Sequence, residues 1–251
     1  MNNIKMEAID IREYLFHAIR PYKHKGVGDE ETKAEIKILI DILTAGAIFS
    51  RRRLKEILTD ERYNELVEGH RVNWNRLDWI SLAATTDTTI NFMDDGFIVP
   101  YSKMDDGIPA FDEHVKEYPS IILNPNLLND LVIADYYSDE YYGGQMCEVQ
   151  VKDKITNDYF VGIALPNIYE SFNLMKDYIS PSSNDYYLYE ELKHLDAEEF
   201  LNKYYKSAIL FENALNNINC NLPIFHTESG NPILPYQQEL EMITKVKKKI
   251  R

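Results

Sequence analysis

The sequence predicts an α+β fold, because short apolar runs of strand length and longer stretches with helical periodicity both occur along its 251 residues. Of these residues 45% are apolar, and a chain of this length can bury most of its apolar surface in a core. The two cysteines, Cys147 and Cys220, lie far apart and outside any Cys-x-x-Cys spacing, which argues against a disulfide framework or a cysteine zinc site. A reducing compartment fits this usage.

The first predicted strand runs from Leu15 to Ile19, a short apolar stretch followed by Arg20-Pro21 and a glycine-containing loop. His17 lies within this strand. Asp29 then opens a stretch in which apolar side chains recur every three or four residues as far as Ala47. This spacing predicts an amphipathic helix of about four turns, which ends near a glycine.

A second helix is predicted from Ser50 to Leu66, with Ser50 as its N-cap. Its first turn carries three consecutive arginines, Arg51, Arg52 and Arg53. Such a run is usually a solvated helix start, but cations near a helix N-terminus are electrostatically disfavoured, and this mismatch points towards an anionic ligand.

Further strands are predicted from runs rich in β-branched and aromatic residues, at 79–83, 97–99, 119–123, 147–151 and 159–165. Ser81 lies in the first of these runs. Glu148 and Gln150 alternate with valines near the end of the series, which is typical of a half-buried strand. Tyr141 and Tyr142 precede a pair of glycines, in a stretch predicted to be an exposed aromatic loop.

Beyond residue 166 the pattern becomes mainly helical, at 168–179 and 197–218, and a short apolar piece follows at 222–225. We therefore divide the chain into a core, residues 1–166, and a helical C-terminal extension, residues 167–251, packed on the same domain.

The charged residues comprise 27 Lys and Arg against 41 Asp and Glu, a formal net charge of −14 at pH 7. Since nucleic-acid affinity depends on cations that displace phosphate counterions, this charge argues against a protein that coats nucleic acid indiscriminately. No stretch approaches the roughly 20 apolar residues that span a bilayer, and the first residues lack the pattern of a secretory signal. We expect a cytoplasmic protein with no membrane partner.

Common catalytic and nucleotide-binding signatures are absent from the sequence. It contains neither G-x-G-x-x-G after a strand nor G-x-x-x-x-G-K-[ST], and neither H-E-x-x-H nor G-x-S-x-G. These absences argue against a Rossmann dehydrogenase, a P-loop enzyme and the common hydrolases.

The remaining signal is the order of elements: a strand with His17, a helix ending in Ala-Gly-Ala-Ile-Phe-Ser, the arginine cluster, a strand with Ser81 and a glycine-preceded strand with Glu148. This order resembles the ADP-ribosyltransferases. LFHAI looks like the first-strand histidine of that family, ILIDILTAGAIFSRRRL like its serine-arginine passage, and CEVQVKDKITNDYFVGIAL is similar to its acidic strand. The closest likeness is to the DarT-type toxins and covers roughly residues 15–165.

The resemblance implies antiparallel sheets split around a cleft for NAD, which serves as co-substrate without a metal. Glu148 is then the catalytic residue, because a fixed carboxylate stabilises the positive charge that develops on the ribose as nicotinamide leaves. The resemblance assigns NAD binding to His17, Ser81 and an arginine of the cluster. Arg51 comes first for the pyrophosphate, with Arg52 and Arg53 as close competitors.

Substrate contacts are expected from Gln150, which shares a strand face with Glu148, and from Tyr141 and Tyr142. Met146 stands where arginine-modifying members carry Gln or Glu, which disfavours arginine modification of protein. The macromolecular acceptor stays open between nucleic acid and protein. A role as a toxin or phage-conflict effector, with an antitoxin or immunity protein as a further partner, is compatible with the likeness.

Each of these residues also has an ordinary structural explanation. Taken alone, His17 is more often a hydrogen-bonded core histidine, and Glu148 suits the outward face of a strand. The alternatives are therefore an NAD glycohydrolase, which uses water as acceptor, and a non-catalytic acidic interaction protein on a related α+β scaffold. Removal of an RNA 2′-phosphate ranks last, because the chain offers a single strong basic cluster.

Overall fold

The computed structural model describes residues 7–19, 29–67, 77–84, 118–133, 148–165, 197–227, 230–234, 237–241 and 244. The strands are β1 (Leu15–Ala18), β2 (Ala47–Phe49), β3 (Trp79–Ala84), β4 (Ser120–Leu123), β5 (Glu148–Lys152), β6 (Lys154–Thr156), β7 (Phe160–Leu165) and β8 (Ile224–His226). The helices are α1 (Asp29–Ala45), α2 (Arg51–Ile57), α3 (Asp60–Val67), α4 (Leu127–Asp130) and α5 (Ala197–Asn217). This mixture of helices and strands confirms the predicted α+β class.

The strands form a six-stranded sheet in the order β5-β3-β1-β4-β7-β8 and a two-stranded sheet of β2 and β6. Neighbours in both sheets are antiparallel, apart from β7 and β8, which pair in parallel at one edge. Within the described residues, the strands that carry His17, Ser81 and Glu148 (β1, β3 and β5) therefore all belong to the large sheet.

Each face of the large sheet carries a cluster of packed apolar side chains. The first, which we call the helix face, carries Leu15, Leu82, Ile121, Val149 and Ile163, all fully or almost fully buried. Leu39 of α1 and Phe211 of α5 belong to the same core cluster, so these helices cover this face.

The opposite face, which we call the N-terminal face, carries Phe16, Ala83, Ile122, Ala164 and Phe225. Ile9, Ile11 and Tyr14, which precede β1, pack against this smaller cluster. Since both faces are packed, alternation along a strand decides which of two different environments each side chain enters.

The first long helix is shorter than its apolar pattern predicts. Gly46 adopts a left-handed conformation, with φ +69°, and ends α1. Ala47 then opens β2, which pairs with β6 through Ile48 and Ile155. Ala47 continues the helical spacing by chance. The strand that it opens has only three residues, too few to show the two-residue period that would predict it.

The helix predicted from Ser50 to Leu66 is two helices. Ser50 caps α2 as predicted, and its hydroxyl accepts a hydrogen bond from the Arg53 N–H at 3.4 Å. Leu58 leaves the helical conformation, with φ −103° and ψ 157°. The Thr59 hydroxyl then accepts a hydrogen bond from the Arg62 N–H at 3.2 Å, which caps α3.

We expect Thr59→Ala to lower the free energy of unfolding by about 1 kcal/mol, because it leaves a backbone donor of the first turn of α3 without its cap. Thr59→Ser keeps the hydroxyl and is expected to unfold like the wild type. Urea denaturation followed by circular dichroism measures both. Equal stability of the Ala and Ser variants would show that this hydroxyl does not stabilise α3.

The C-terminal extension is more than helical. α5 matches the helix predicted at 197–218, and its Phe211 is fully buried in the core of the large sheet. The apolar piece predicted at 222–225 lies in and beside β8, which adds a strand to that sheet next to β7. Tertiary pairing with β7 fixes this strand, and such pairing is not visible in a three-residue pattern.

Some predictions lie outside the described residues: the strand at 97–99, the helix at 168–179, and the tyrosines at 141 and 142. Among the helices that the structure describes, none combines the length and apolarity needed to cross a membrane.

Candidate functional site

Three segments of the predicted site form neighbouring strands. β1 carries His17, β3 carries Ser81, and β5 carries Glu148 and Gln150; these strands are adjacent in the order β5-β3-β1. Ser81 lies directly opposite Gln150 in the β3–β5 register, and Ala83 lies opposite Glu148. The fold therefore brings together segments that are far apart in the sequence.

The register separates these residues between the two faces of the sheet. Glu148 is opposite Ala83, which is opposite Phe16, so position 148 is on the N-terminal face. His17 is opposite Ile121, whose side chain lies in the core on the helix face. Position 148 and His17 are therefore on opposite faces of the sheet, because His17 is one residue out of phase with the partner of position 148.

His17 is half-buried, and its Nδ1 lies 3.3 Å from the main-chain carbonyl oxygen of Ser81. A carbonyl can only accept, so Nδ1 carries the proton and donates to it. His17 thereby connects β1 to β3 at the residue that faces Gln150. It holds the backbone of Ser81 from the opposite side of the sheet.

Ser81 and Gln150 differ sharply in exposure. The Ser81 side chain is exposed, whereas Gln150 is only 4% exposed although both lie at the same level of the sheet. A buried amide is normally held by hydrogen bonds and so has a fixed orientation. This pair places a fixed polar group beside a solvent-accessible hydroxyl, one step along the same face from position 148.

The three consecutive arginines have different partners. Arg52 makes two contacts with the Asp78 carboxylate, from Nε to Oδ1 and from Nη2 to Oδ2, the latter at 3.2 Å. The hydrogen bonds that Arg52 donates to Asp78, and then the negative charge of Asp78, raise the pKa of Arg52. Arg53 pairs with Glu56 at 2.5 Å. The guanidinium groups of Arg52 and Arg53 are therefore each already paired with a carboxylate.

Arg51 is different, because its Nη1 is buried and has no hydrogen-bond partner among the described residues. A buried guanidinium donor without an acceptor is costly, so such a group is rare unless a ligand completes it. Arg51 is therefore the arginine of this cluster that has a buried donor available for an anion, whereas Arg52 and Arg53 are paired with carboxylates.

The start of α2 is fixed at the end of β5 that lies away from position 148. The Ser50 N–H donates to the Asp153 carbonyl at 2.8 Å, and the Arg52 N–H donates to the Leu77 carbonyl at 2.9 Å. Position 148 and Asp153 bracket the length of β5, which is about 13 Å between its first and last residues at ~3.3 Å per residue. The arginines and the acidic position therefore lie at opposite ends of one strand pair.

A buried ionisable pair that the sequence did not indicate lies beside β8. The His226 Nε2 is 3.1 Å from the Glu239 Oε1, and these residues are 7% and 4% exposed. The same Oε1 accepts the Leu234 N–H at 2.8 Å. This pair joins the helical residues 237–241 to the edge of the sheet.

In the part of the chain that the structure describes, there is no group of three or more His, Cys, Asp or Glu side chains that could hold a metal ion. No protein-family model matches this chain, and comparison with curated proteins and with solved structures likewise finds no match.

Proposed function

We propose that this protein is an NAD-dependent ADP-ribosyltransferase that transfers ADP-ribose to a macromolecular acceptor, with Glu148 as its catalytic residue. The observation that carries the proposal is the adjacency of the three motif strands, with Ser81 opposite Gln150 and Glu148 two residues further along β5. The resemblance implies that these three segments lie beside one another in the fold, whereas the composition of the chain gives no reason to expect it.

Loss of nicotinamide leaves positive charge on the ribose ring, and a carboxylate held beside that ring lowers the energy of this state. The same carboxylate can take the proton of the attacking acceptor group. In this assignment Glu148 supplies the carboxylate. Gln150, on the same face of β5, orients the substrate with its buried amide, and the exposed Ser81 hydroxyl contacts the dinucleotide.

Arg51 binds the pyrophosphate of NAD in this proposal. Its unpartnered Nη1 supports the role, since a phosphate oxygen would supply the missing acceptor. An extended dinucleotide and an arginine side chain together can bridge the length of β5 between the start of α2 and position 148. The structure supports Arg53 less, because Glu56 already occupies its guanidinium.

His17 has a positioning role rather than a direct contact with the reacting ribose. It lies on the helix face and donates to the Ser81 carbonyl, so it acts through the backbone of β3. The substitution His17→Ala is thus a weaker test of the chemistry than a change at position 148.

The direct test is release of nicotinamide when the purified protein is incubated with NAD. Mass spectrometry of added single-stranded oligonucleotide and of added protein extract then looks for the mass of ADP-ribose on an acceptor. Nicotinamide release with a mass increase on either acceptor supports transfer, whereas release without one indicates an NAD glycohydrolase. No nicotinamide release and no change in melting temperature with NAD would reject the proposal.

The placement of His17 and Glu148 on opposite faces favours a second candidate, a non-catalytic interaction protein on this α+β scaffold. This candidate requires no response to NAD, so the same two measurements distinguish it from the transferase.

A further inference from the structure

α2 is a surface helix in which no residue is fully buried and the apolar Leu54 is half-buried. A helix in a globular protein normally turns an apolar face towards the core, and its packing there supplies most of its stability. Here the apolar Ile57, in the last turn, is 49% exposed. The helix thus presents an apolar side chain together with its cationic residues to the solvent.

A second exposed apolar side chain adjoins the same end of the large sheet. Val132 is 62% exposed, and its carbonyl accepts the Lys152 N–H at 2.9 Å. Lys152 is the last residue of β5, and the following Asp153 accepts the Ser50 N–H at the start of α2. Val132 and α2 therefore flank the turn between β5 and β6.

The charges at this place differ from those of the chain as a whole. Asp78 and Glu56 neutralise Arg52 and Arg53 by ion pairs. Four cations remain. One is Arg51, and the others are three exposed lysines with no ion-pair partner in the described parts of the chain, namely Lys55, Lys152 and Lys154; a single further carboxylate, Asp153, lies between the last two. In a protein with a net charge of −14, this is a local surplus of positive charge.

We propose that this region, which we call the α2 surface (Lys55, Ile57, Val132, Lys152 and Lys154), docks an acidic polypeptide segment that also carries apolar side chains. The three unpaired lysines complement carboxylates on the partner. Ile57 and Val132 provide apolar contacts for the partner, since apolar side chains anchor the core of a protein interface while its rim is polar.

The same surface suits a continuous phosphate chain less well. Three carboxylates lie among the cations, and the charge of each raises the pKa of Arg52: Asp78, Glu56 and Asp153. The evenly spaced phosphates of a nucleic acid would be repelled by these carboxylates, whereas a polypeptide can place its own carboxylates beside the lysines and away from them. The proposal goes beyond the transferase assignment and does not depend on it.

The test uses the full chain and a displayed library of random peptides as the probe. Peptides selected on the wild type are expected to be rich in Asp and Glu and to contain apolar residues. Their affinity is expected to fall about tenfold for Ile57→Ser and for Lys152→Glu combined with Lys154→Glu, as measured by fluorescence anisotropy. Ile209→Ser on α5, where Ile209 is 40% exposed, and Lys37→Glu on α1 are the matched controls and are expected to retain full affinity.

The melting temperature of each variant, compared with that of the wild type, separates loss of docking from loss of folding. Two results would overturn the proposal: selected peptides that bind all the variants equally, or a selection without acidic peptides. Tighter binding of single-stranded oligothymidylate than of the selected peptides, with the same dependence on Lys152 and Lys154, would also overturn it in favour of a nucleic-acid surface.

Discussion

Glu148→Gln is expected to slow nicotinamide release from NAD by about 100-fold or more, because an amide cannot offset the positive charge on the ribose. The substitution preserves the size and shape of the side chain. Position 148 lies at the first residue of β5, so the pairing with β3 through Ala83 does not depend on the carboxylate. We therefore expect a nearly unchanged melting temperature. Nicotinamide quantified by chromatography under single-turnover and steady-state conditions measures the loss.

Glu212→Gln provides the matched control for this change. Glu212 is an exposed glutamate of α5, so its conversion to an amide alters the net charge by the same amount. We expect full activity from this variant. Wild-type activity in Glu148→Gln, or equal losses in both variants, would contradict the assignment of Glu148 as the catalytic residue.

The local pattern of the sequence was sufficient to predict the strands around His17, Ser81 and Glu148. Each is a run of β-branched or aromatic residues closed by a polar or turn residue, and such runs need no partner to be recognised. β2 and β6 were not predicted, because each has only three residues and exists through its pairing with the other. β8 was visible as an apolar piece, but its parallel pairing with β7 was not.

Adjacency of the motif strands and their register are different kinds of information. The order of elements predicted which segments belong together, and β1, β3 and β5 are neighbours. Register decides the face, and a displacement of one residue transfers a side chain to the other side of the sheet. His17 and Phe16 are consecutive, yet Phe16 shares its face with Ala83 and His17 does not. No periodicity in a four-residue strand could fix that phase.

The arginine cluster shows that the partners of side chains, like the register of strands, cannot be predicted from local sequence. The resemblance assigns the pyrophosphate to an arginine of residues 51–53 with Arg51 first, but the sequence could not reveal that Arg52 binds Asp78. The Arg52 N–H also pairs with the Leu77 carbonyl, which brings the residues just before β3 to the start of α2. The spacing of residue types along a short stretch of sequence cannot predict such a long-range contact.

Arg51→Met is expected to weaken NAD binding without lowering the stability of the NAD-free protein. Methionine keeps an unbranched apolar stem but removes the buried Nη1 donor that lacks a partner. In the absence of NAD, the free energy of unfolding should stay the same or rise by up to ~1–3 kcal/mol, the cost of such a donor. Loss of a charge-assisted hydrogen bond should weaken NAD binding by about tenfold or more. Urea denaturation and isothermal titration calorimetry measure the two effects.

Arg53→Met is the control, because Arg53 lies two residues away, is about half exposed and pairs with Glu56 on the surface. An exposed pair of this kind contributes ~0–1 kcal/mol, so this variant should bind NAD normally with little change in stability. A less stable Arg51→Met variant with unchanged NAD affinity would mean that Arg51 supports the fold and that the pyrophosphate lies elsewhere. A gain in stability together with a loss of NAD affinity is difficult to explain by a structural role, since a structural arginine stabilises the protein in which it stands.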